Sequence, residues 1–341
     1  MKKANIMEGK ADFFLKNPAC GFFVKNKAVF LLLGIVILAA FSSEKFTRPI
    51  NVTNVLQQVA PNGIVAVGLT MVVITGGFDM SVGSVMALTG VITMMALKGG
   101  SALITAVCLG LLTGLGTGFL NGIFIGVVGI TPFIATLGTM TLVRGIAHGI
   151  TEAHPVTMNH KVFARFAMDN LGLVPWSFIV FILLAIGAAF FLRRTRIGHQ
   201  IYIYGSNREA GYAAGLNMTA TLILTYTLCG LLASVAGIFL ASKVGAGSPV
   251  ISEDACLLGM TAIIIGGNKL SGSRATMTCT VIGVLTLGVL NNIMNLTRMM
   301  AYFQTIIKGL LVVTAMAIDA PGVNKYLGLA RNVLQGRAQK K

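Results

Sequence analysis

Long apolar runs separated by short polar segments dominate this chain. A helix needs about 20 apolar residues to cross a hydrocarbon core, with a range of about 17–25. On that template, runs near 24–41, 55–76, 80–97, 101–127, 132–150, 174–192, 218–242, 254–267, 275–297 and 301–318 predict about ten transmembrane helices. The run at 254–267 is short and follows Glu253 and Asp254, so it reads either as a full crossing or as a broken helix. The loop between the sixth and seventh runs, 193–217, is markedly polar. It carries Arg193, Arg194, Arg196 and Arg208 against one acid, Glu209. The polar lead to Lys27 is too long for the basic region of a signal peptide, and the run Ala28–Phe41 lacks a clear small-x-small cleavage site. The first run is therefore expected to be a retained span.

Composition supports an all-α polytopic membrane protein. Only 11% of the 341 residues are charged and 55% are hydrophobic, whereas charged residues make up about 25% of an average soluble domain. The net charge of +16 does not describe a nucleic-acid-binding face, because the basic residues cluster in loops and at the ends. With a cytoplasmic N-terminus and ten crossings, 17 Lys and Arg fall inside and 7 outside, with Arg144 and Lys308 within spans. This split predicts that both termini are cytoplasmic. Nine crossings would move the basic C-terminal tail outside. The expected organisation is an N-terminal tail at 1–23, a permease domain at 24–319 and a basic tail at 320–341.

An internal similarity adds a plan to these spans. Phe119-Leu120-Asn121-Gly122 resembles Val289-Leu290-Asn291-Asn292, and Phe133 and Phe303 follow each Asn at the same distance. The offset of 170 residues covers five spans. An odd number of spans inverts one copy relative to the other across the membrane, so spans 2–5 and 7–10 are expected to be inverted repeats, a common transporter plan.

Individual motifs are mostly structural in character. Gly110, Gly114, Gly118, Gly122 and Gly126 recur every four residues and so lie on one helix face. They predict close helix packing within the bundle, with a subunit interface as the alternative. Between spans two and three, TGGFDMSVGS places Asp79 beside Ser81 and Ser84. Asp79 is expected to accept backbone N–H groups at the start of span three, with a solute or ion contact as the alternative. A polar path for a hydroxylated solute is drawn through Asp79, Ser81, Ser84, Asn121, Thr136, Thr139, Arg144, Asn291, Asn295, Gln304 and Lys308. Cys20, Cys108, Cys229, Cys256 and Cys279 form no metal-binding or redox spacing and read as small apolar residues. There is no GxxxxGK[ST] phosphate loop, no HExxH and no GxSxG. No catalytic site and no cofactor are expected in this chain, and any ATP chemistry must belong to another one.

Taken together, GGFDMSVGS at 76–84, TPFIATLGTMTLVRG at 131–145, RTRIGHQIYIYGSNREAGYAAGLN at 194–217, LCGLLASVAGI at 228–238 and the LNN…YFQTIIKG pattern at 290–309 resemble one family. This is the permease subunit of bacterial ABC importers for monosaccharides, in the ribose, galactose, xylose and autoinducer-2 branch, closest to the ribose type. The resemblance implies import of a monosaccharide across the inner membrane by alternating access. It implies a second permease copy, a cytoplasmic ABC ATPase that binds ATP and Mg, and an extracytoplasmic sugar-binding protein, all around a chain solvated by membrane lipids. It also assigns the ATPase-coupling loop to Gly205, Asn207, Glu209, Ala210, Gly211, Ala214, Gly215 and Asn217. The chain departs from the family pattern at Gly205-Ser206, where two glycines are common, and at Ser273-Arg274-Ala275, in place of a final Gly-x-Gly. The competing expectations are an ion-coupled secondary transporter working through Asp79 or Lys308, and a passive channel or scaffold.

Overall fold

The structure is a computed structural model that describes residues 27–269, 272 and 275–319. The tails expected at 1–23 and 320–341 lie outside the described residues. Those residues form thirteen helices. The first half holds α1 (Lys27–Ser42), α2 (Pro49–Ile74), α3 (Val82–Lys98), α4 (Leu103–Gly126), α5 (Pro132–Thr151), α6 (Lys161–Met168) and α7 (Trp176–Arg194). The short helices α8 (Arg196–Ser206) and α9 (Arg208–Ala213) follow. The second half holds α10 (Met218–Val244), α11 (Ala255–Ile265), α12 (Met277–Leu296) and α13 (Ala301–Asp319). Among the described residues, extended pairing is limited to two-residue ladders. Val156–Thr157 pairs antiparallel with Ala246–Gly247, and Asn170–Leu171 with Val174–Pro175.

Six helices, α2, α4, α5, α7, α10 and α12, are long and apolar enough to cross a membrane. Shorter apolar helices fall within α1, α3, α11 and α13. The fold is thus that of a helical polytopic membrane protein. The short run at 254–267 becomes α11, with 11 residues. At 1.5 Å per residue it measures roughly 16 Å, about half a hydrocarbon core. Helix α6 was not apparent from hydropathy. It is only 8 residues long and buries Phe163 and Ala167 on one side. The ring of His160 closes its N-terminus by accepting the Phe163 N–H at 3.1 Å.

Helix α10 is the axis of the bundle, packed against α2, α3 and α4. It runs antiparallel to α4, and the glycines spaced by four form the seam. A Cβ at Gly118 would lie 2.9 Å from the Thr227 Cα, one at Gly122 would lie 2.6 Å from the Ile223 Cα, and one at Gly126 would meet the Thr219 carbonyl at 3.3 Å. Gly114 and Gly230 meet carbonyl to Cβ position from both sides. The first rung, Gly110, packs instead on Thr89 and Thr93 of α3. The ladder is therefore spent inside the chain. With lipid on the outside there is no hydrophobic gain from pairing apolar helices, so backbone proximity and dispersion hold the seam.

Substituting Gly118→Leu should place a branched side chain into the α10 backbone and destabilise the fold by about 1–3 kcal/mol or more, the usual range for overpacking. Gly116→Leu, where a Cβ meets nothing within 4 Å, is the matched control. Thermal unfolding in detergent should show a lowered midpoint for the first variant only.

Candidate functional site

Three polar regions interrupt the bundle. The first is a buried knot at the α2–α3 turn. Asp79 is 1% exposed, and its Oδ1 accepts the Ser81 backbone N–H at 2.9 Å and the Ser81 hydroxyl at 2.6 Å. This is the local turn-closing role expected for a short carboxylate followed by Ser. The Ser81 hydroxyl in turn accepts from the Asn121 amide at 2.9 Å, and the Thr139 hydroxyl donates to Asn121 Oδ1 at 2.6 Å. Thr136 Oγ1 accepts the Met80 N–H at 3.1 Å. Ser84 donates to the Ser81 carbonyl, and Tyr226 donates to the Phe78 carbonyl. Six of the residues drawn into the polar path thus form one sealed network tying α3, α4 and α5 together. The second carboxylate oxygen of Asp79 has no hydrogen-bond partner and lies beside Cys229 of α10.

The second region is the polar loop between α7 and α10. Each of its helices, and α10 after them, begins with a side-chain cap. Thr195 Oγ1 accepts the Gly198 N–H at 3.0 Å, Asn207 Oδ1 accepts the Ala210 N–H at 3.0 Å, and Asn217 Oδ1 accepts the Ala220 N–H at 2.9 Å. Such caps each contribute roughly 1 kcal/mol. Glu209 sits in the first turn of α9, where a negative charge suits the helix dipole. Gly215 has φ +74°, and the Leu216 N–H returns to the Gly211 carbonyl at 3.1 Å, the glycine-terminated helix end of a Schellman motif. The Arg208 guanidinium lies 5.4 Å from the ring centroids of both Tyr204 and Tyr212.

Within the expected coupling set, Asn207, Glu209, Ala210, Ala214, Gly215 and Asn217 are exposed, while Gly205 is half-buried and Gly211 buried. A Cβ at Gly211 would lie 2.8 Å from the Met218 sulfur, so this glycine lets α9 fold down onto α10. The loop also rests on a second one. The Tyr202 hydroxyl donates to the Ala275 carbonyl at 3.0 Å, and Gly272, at φ +81°, lies between the Gly205 and Ile74 carbonyls. Burial raises the Tyr202 hydroxyl above its ordinary pKa.

The third region is a cavity of ≈ 270 Å³ at the other end of α10. Asn291, Asn295, Gln304 and Lys308, all drawn into the path, line it. So do Gln58, Asn62 and Lys243, which sequence reasoning passed over. The Gln304 amide donates to Asn295 Oδ1 at 3.1 Å and to the Met299 carbonyl at 2.9 Å. The polar run Gln57-Gln58 with Asn62 beside Pro61 was the available signal, since amides within an apolar span are costly unless they face a partner or a wet space. Arg144 joins neither polar group. Its guanidinium donates to the Pro249 and Ile251 carbonyls and holds the turn after α10.

The sealed knot should be structural in its effect. Asp79→Ala removes a carboxylate that accepts two hydrogen bonds, each worth about 1.5–3 kcal/mol when charged. It should lower the unfolding midpoint clearly in detergent, and Asp79→Asn, which keeps an acceptor oxygen, should lower it less.

The family described as branched-chain amino acid transport system / permease component matches residues 51–316. The chain is 34% identical over 287 residues to the ribose import permease protein RbsC of Bacillus subtilis (strain 168), covering 84% of this chain and 89% of that one. It is 33% identical over 300 residues to the ribose import permease protein RbsC of Escherichia coli (strain K12), covering 87% and 94%. It is also 29% identical over 300 residues to the D-allose transport system permease protein AlsC of the same strain, covering 87% and 92%. No solved structure matches. Matched over most of its length by this family, and aligned with its relatives over nearly their whole length, the chain belongs to the transport-system permease family.

Proposed function

We propose that the chain is the membrane subunit of an ABC importer for a monosaccharide, and that the loop formed by α8 and α9 receives the conformational work of a separate ATPase. The similarity to ribose import permeases carries the sugar reading. The capped, exposed α9 carries the coupling reading. In this scheme ATP and Mg bind the ATPase, an extracytoplasmic sugar-binding protein delivers the solute, and a second permease copy completes the pathway. This chain has no reaction of its own. In this reading the positive-inside count favours ten crossings with both termini cytoplasmic, and the internal similarity favours their arrangement as inverted repeats. On this topology α11 and its flanking turns together make one crossing.

Two structural relations support a mechanical link. Ala275 is tied to α8 through Tyr202, and α10 leads from α9 through the bundle to the cavity. A displacement of α9 would reach the α2 end, the α12 start and α10 at once. Alternating access then needs only two packings of the bundle whose balance the ATPase biases. The ion-coupled reading gains little from Asp79, whose Oδ1 closes the turn onto Ser81 within a network shared with α4 and α5.

The docking surface can be tested without disturbing packing. Ala210→Arg with Ala214→Arg places two large charges on exposed positions of α9 and its end. The variant should insert and unfold like the parent, yet lose binding-protein-stimulated ATP hydrolysis by ~10-fold or more, as for a disrupted interface centre. Normal stimulation would move the contact to the loop at 266–276. Gly211→Arg is a poorer test, because its first effect is a clash with Met218.

A further inference from the structure

The cavity at the far end of α10 has a lining with a marked chemical bias. Five helices contribute to it: Gln58 and Asn62 from α2, Lys243 from α10, Leu258 from α11, Asn291 and Asn295 from α12, and Gln304 and Lys308 from α13. Among the described residues its charged groups are two ammonium groups, and no carboxylate lines it. Lys243 and Lys308 are both half-buried, and among the described residues neither has a hydrogen-bonding or ion-pair partner. The acids nearest Lys243 in sequence are Glu253 and Asp254, before α11. Glu253 acts on Arg144 instead, and neither acid lines the cavity.

Uncompensated ammonium groups in a partly desolvated cavity are costly, and an anion placed between them removes that cost. The amides of Gln58, Asn62, Asn291, Asn295 and Gln304 offer both donors and acceptors, the complement of a polyhydroxylated molecule. The lining also reaches the first turns of α11 and α13, whose helix N-termini favour negative charge, although the ends of α10 and α12 oppose them. All of these lining residues belong to one chain.

We propose that this cavity is a binding site for a small polyol bearing a carboxylate or phosphate, held by Lys243 and Lys308 as anion receptors and by the surrounding amides as hydroxyl receptors. The same chemistry occurs in a free sugar acid and in the phosphoglycerol head of an anionic lipid. Binding here is a property of the permease alone. It rests on the polar path of the importer reading for its relevance to transport, but not for its existence.

The test uses the full chain purified into nanodiscs of phosphatidylcholine, without ATPase or binding protein, so a failure of ATP coupling leaves the result untouched. Binding of D-ribonate and of D-ribose is measured by thermophoresis at pH 7. Ribonate should bind ~10-fold or more tightly than ribose, the scale expected of a charge-assisted pair. Lys243→Gln and Lys308→Gln should each reduce that preference, while Lys243→Arg and Lys308→Arg should retain it. Equal binding of the two probes, no binding of ribonate, or an unchanged preference in both Gln variants would overturn the proposal. The unfolding midpoint of each variant separates loss of the site from loss of the fold. If a Gln variant fails to fold, the parent and the Arg variants still decide, through the ribonate-to-ribose ratio and its decline with salt. In a second arm, native mass spectrometry follows phosphatidylglycerol on the parent. Displacement of that lipid by ribonate identifies the resident as a lipid head, and ribonate binding with no bound lipid identifies it as a free solute.

Discussion

Everything in this bundle depends on how closely α4 can approach α10. In lipid, two apolar helices gain nothing from hiding from solvent, because the tails around them are as apolar as their side chains. What remains is contact between backbones, which falls steeply with distance. Gly114, Gly118 and Gly122 allow that contact on one side and Gly230 on the other. With α10 fixed, α2 and α3 have a surface to pack on. Met86 lies against Gly237, and Gly90 against Gly247, so the same device recurs higher on the axis. Larger residues at these points would separate the helices that position the knot, the cavity and the polar loop.

The polar groups follow the same frame. Most of the buried Thr and Ser hydroxyls donate to the carbonyl three or four residues earlier on their own helix, as at Thr70, Thr93, Thr225 and Thr286. They are satisfied locally and carry little information. The exceptions are interhelical. Asn51 and Asn292 exchange two amide hydrogen bonds between α2 and α12 at 2.8–3.0 Å, and the Asp79–Ser81–Asn121–Thr139 chain ties three helices. Such pairs fix register where dispersion alone would permit sliding.

What the sequence reveals and what it hides divide along the range of the interaction. The glycine ladder was legible because its spacing matches one helix face, but its partner was not, since nothing at Ile223 or Thr227 marks those residues as the opposing wall. The Asp79 turn was legible because donor and acceptor lie two residues apart. The glycine at 211 looked like part of a docking surface because small residues serve both contact between proteins and packing within one. Only the position of Met218 distinguishes the two. Lys243, Gln58 and Asn62 were overlooked because the cavity is assembled from five helices and no local pattern announces it. Helix α6 escaped because it is amphipathic and not an apolar run, so a reading built on long apolar stretches passes over it.

The length of α10 carries a mechanical consequence. Its 27 residues make a rod of roughly 40 Å, with its first turn beneath α9 and its last beside Lys243. A rod of that length is a lever. Pivoted near the glycine seam, a rotation of about 5° would carry each end through roughly 2 Å in opposite directions. Shifts of this size, about 1–2 Å between packed helices, are typical of switching transitions. The seam that gives the bundle its rigidity would then also serve as a fulcrum, because glycine faces present a smooth bearing with no side chains to unlock.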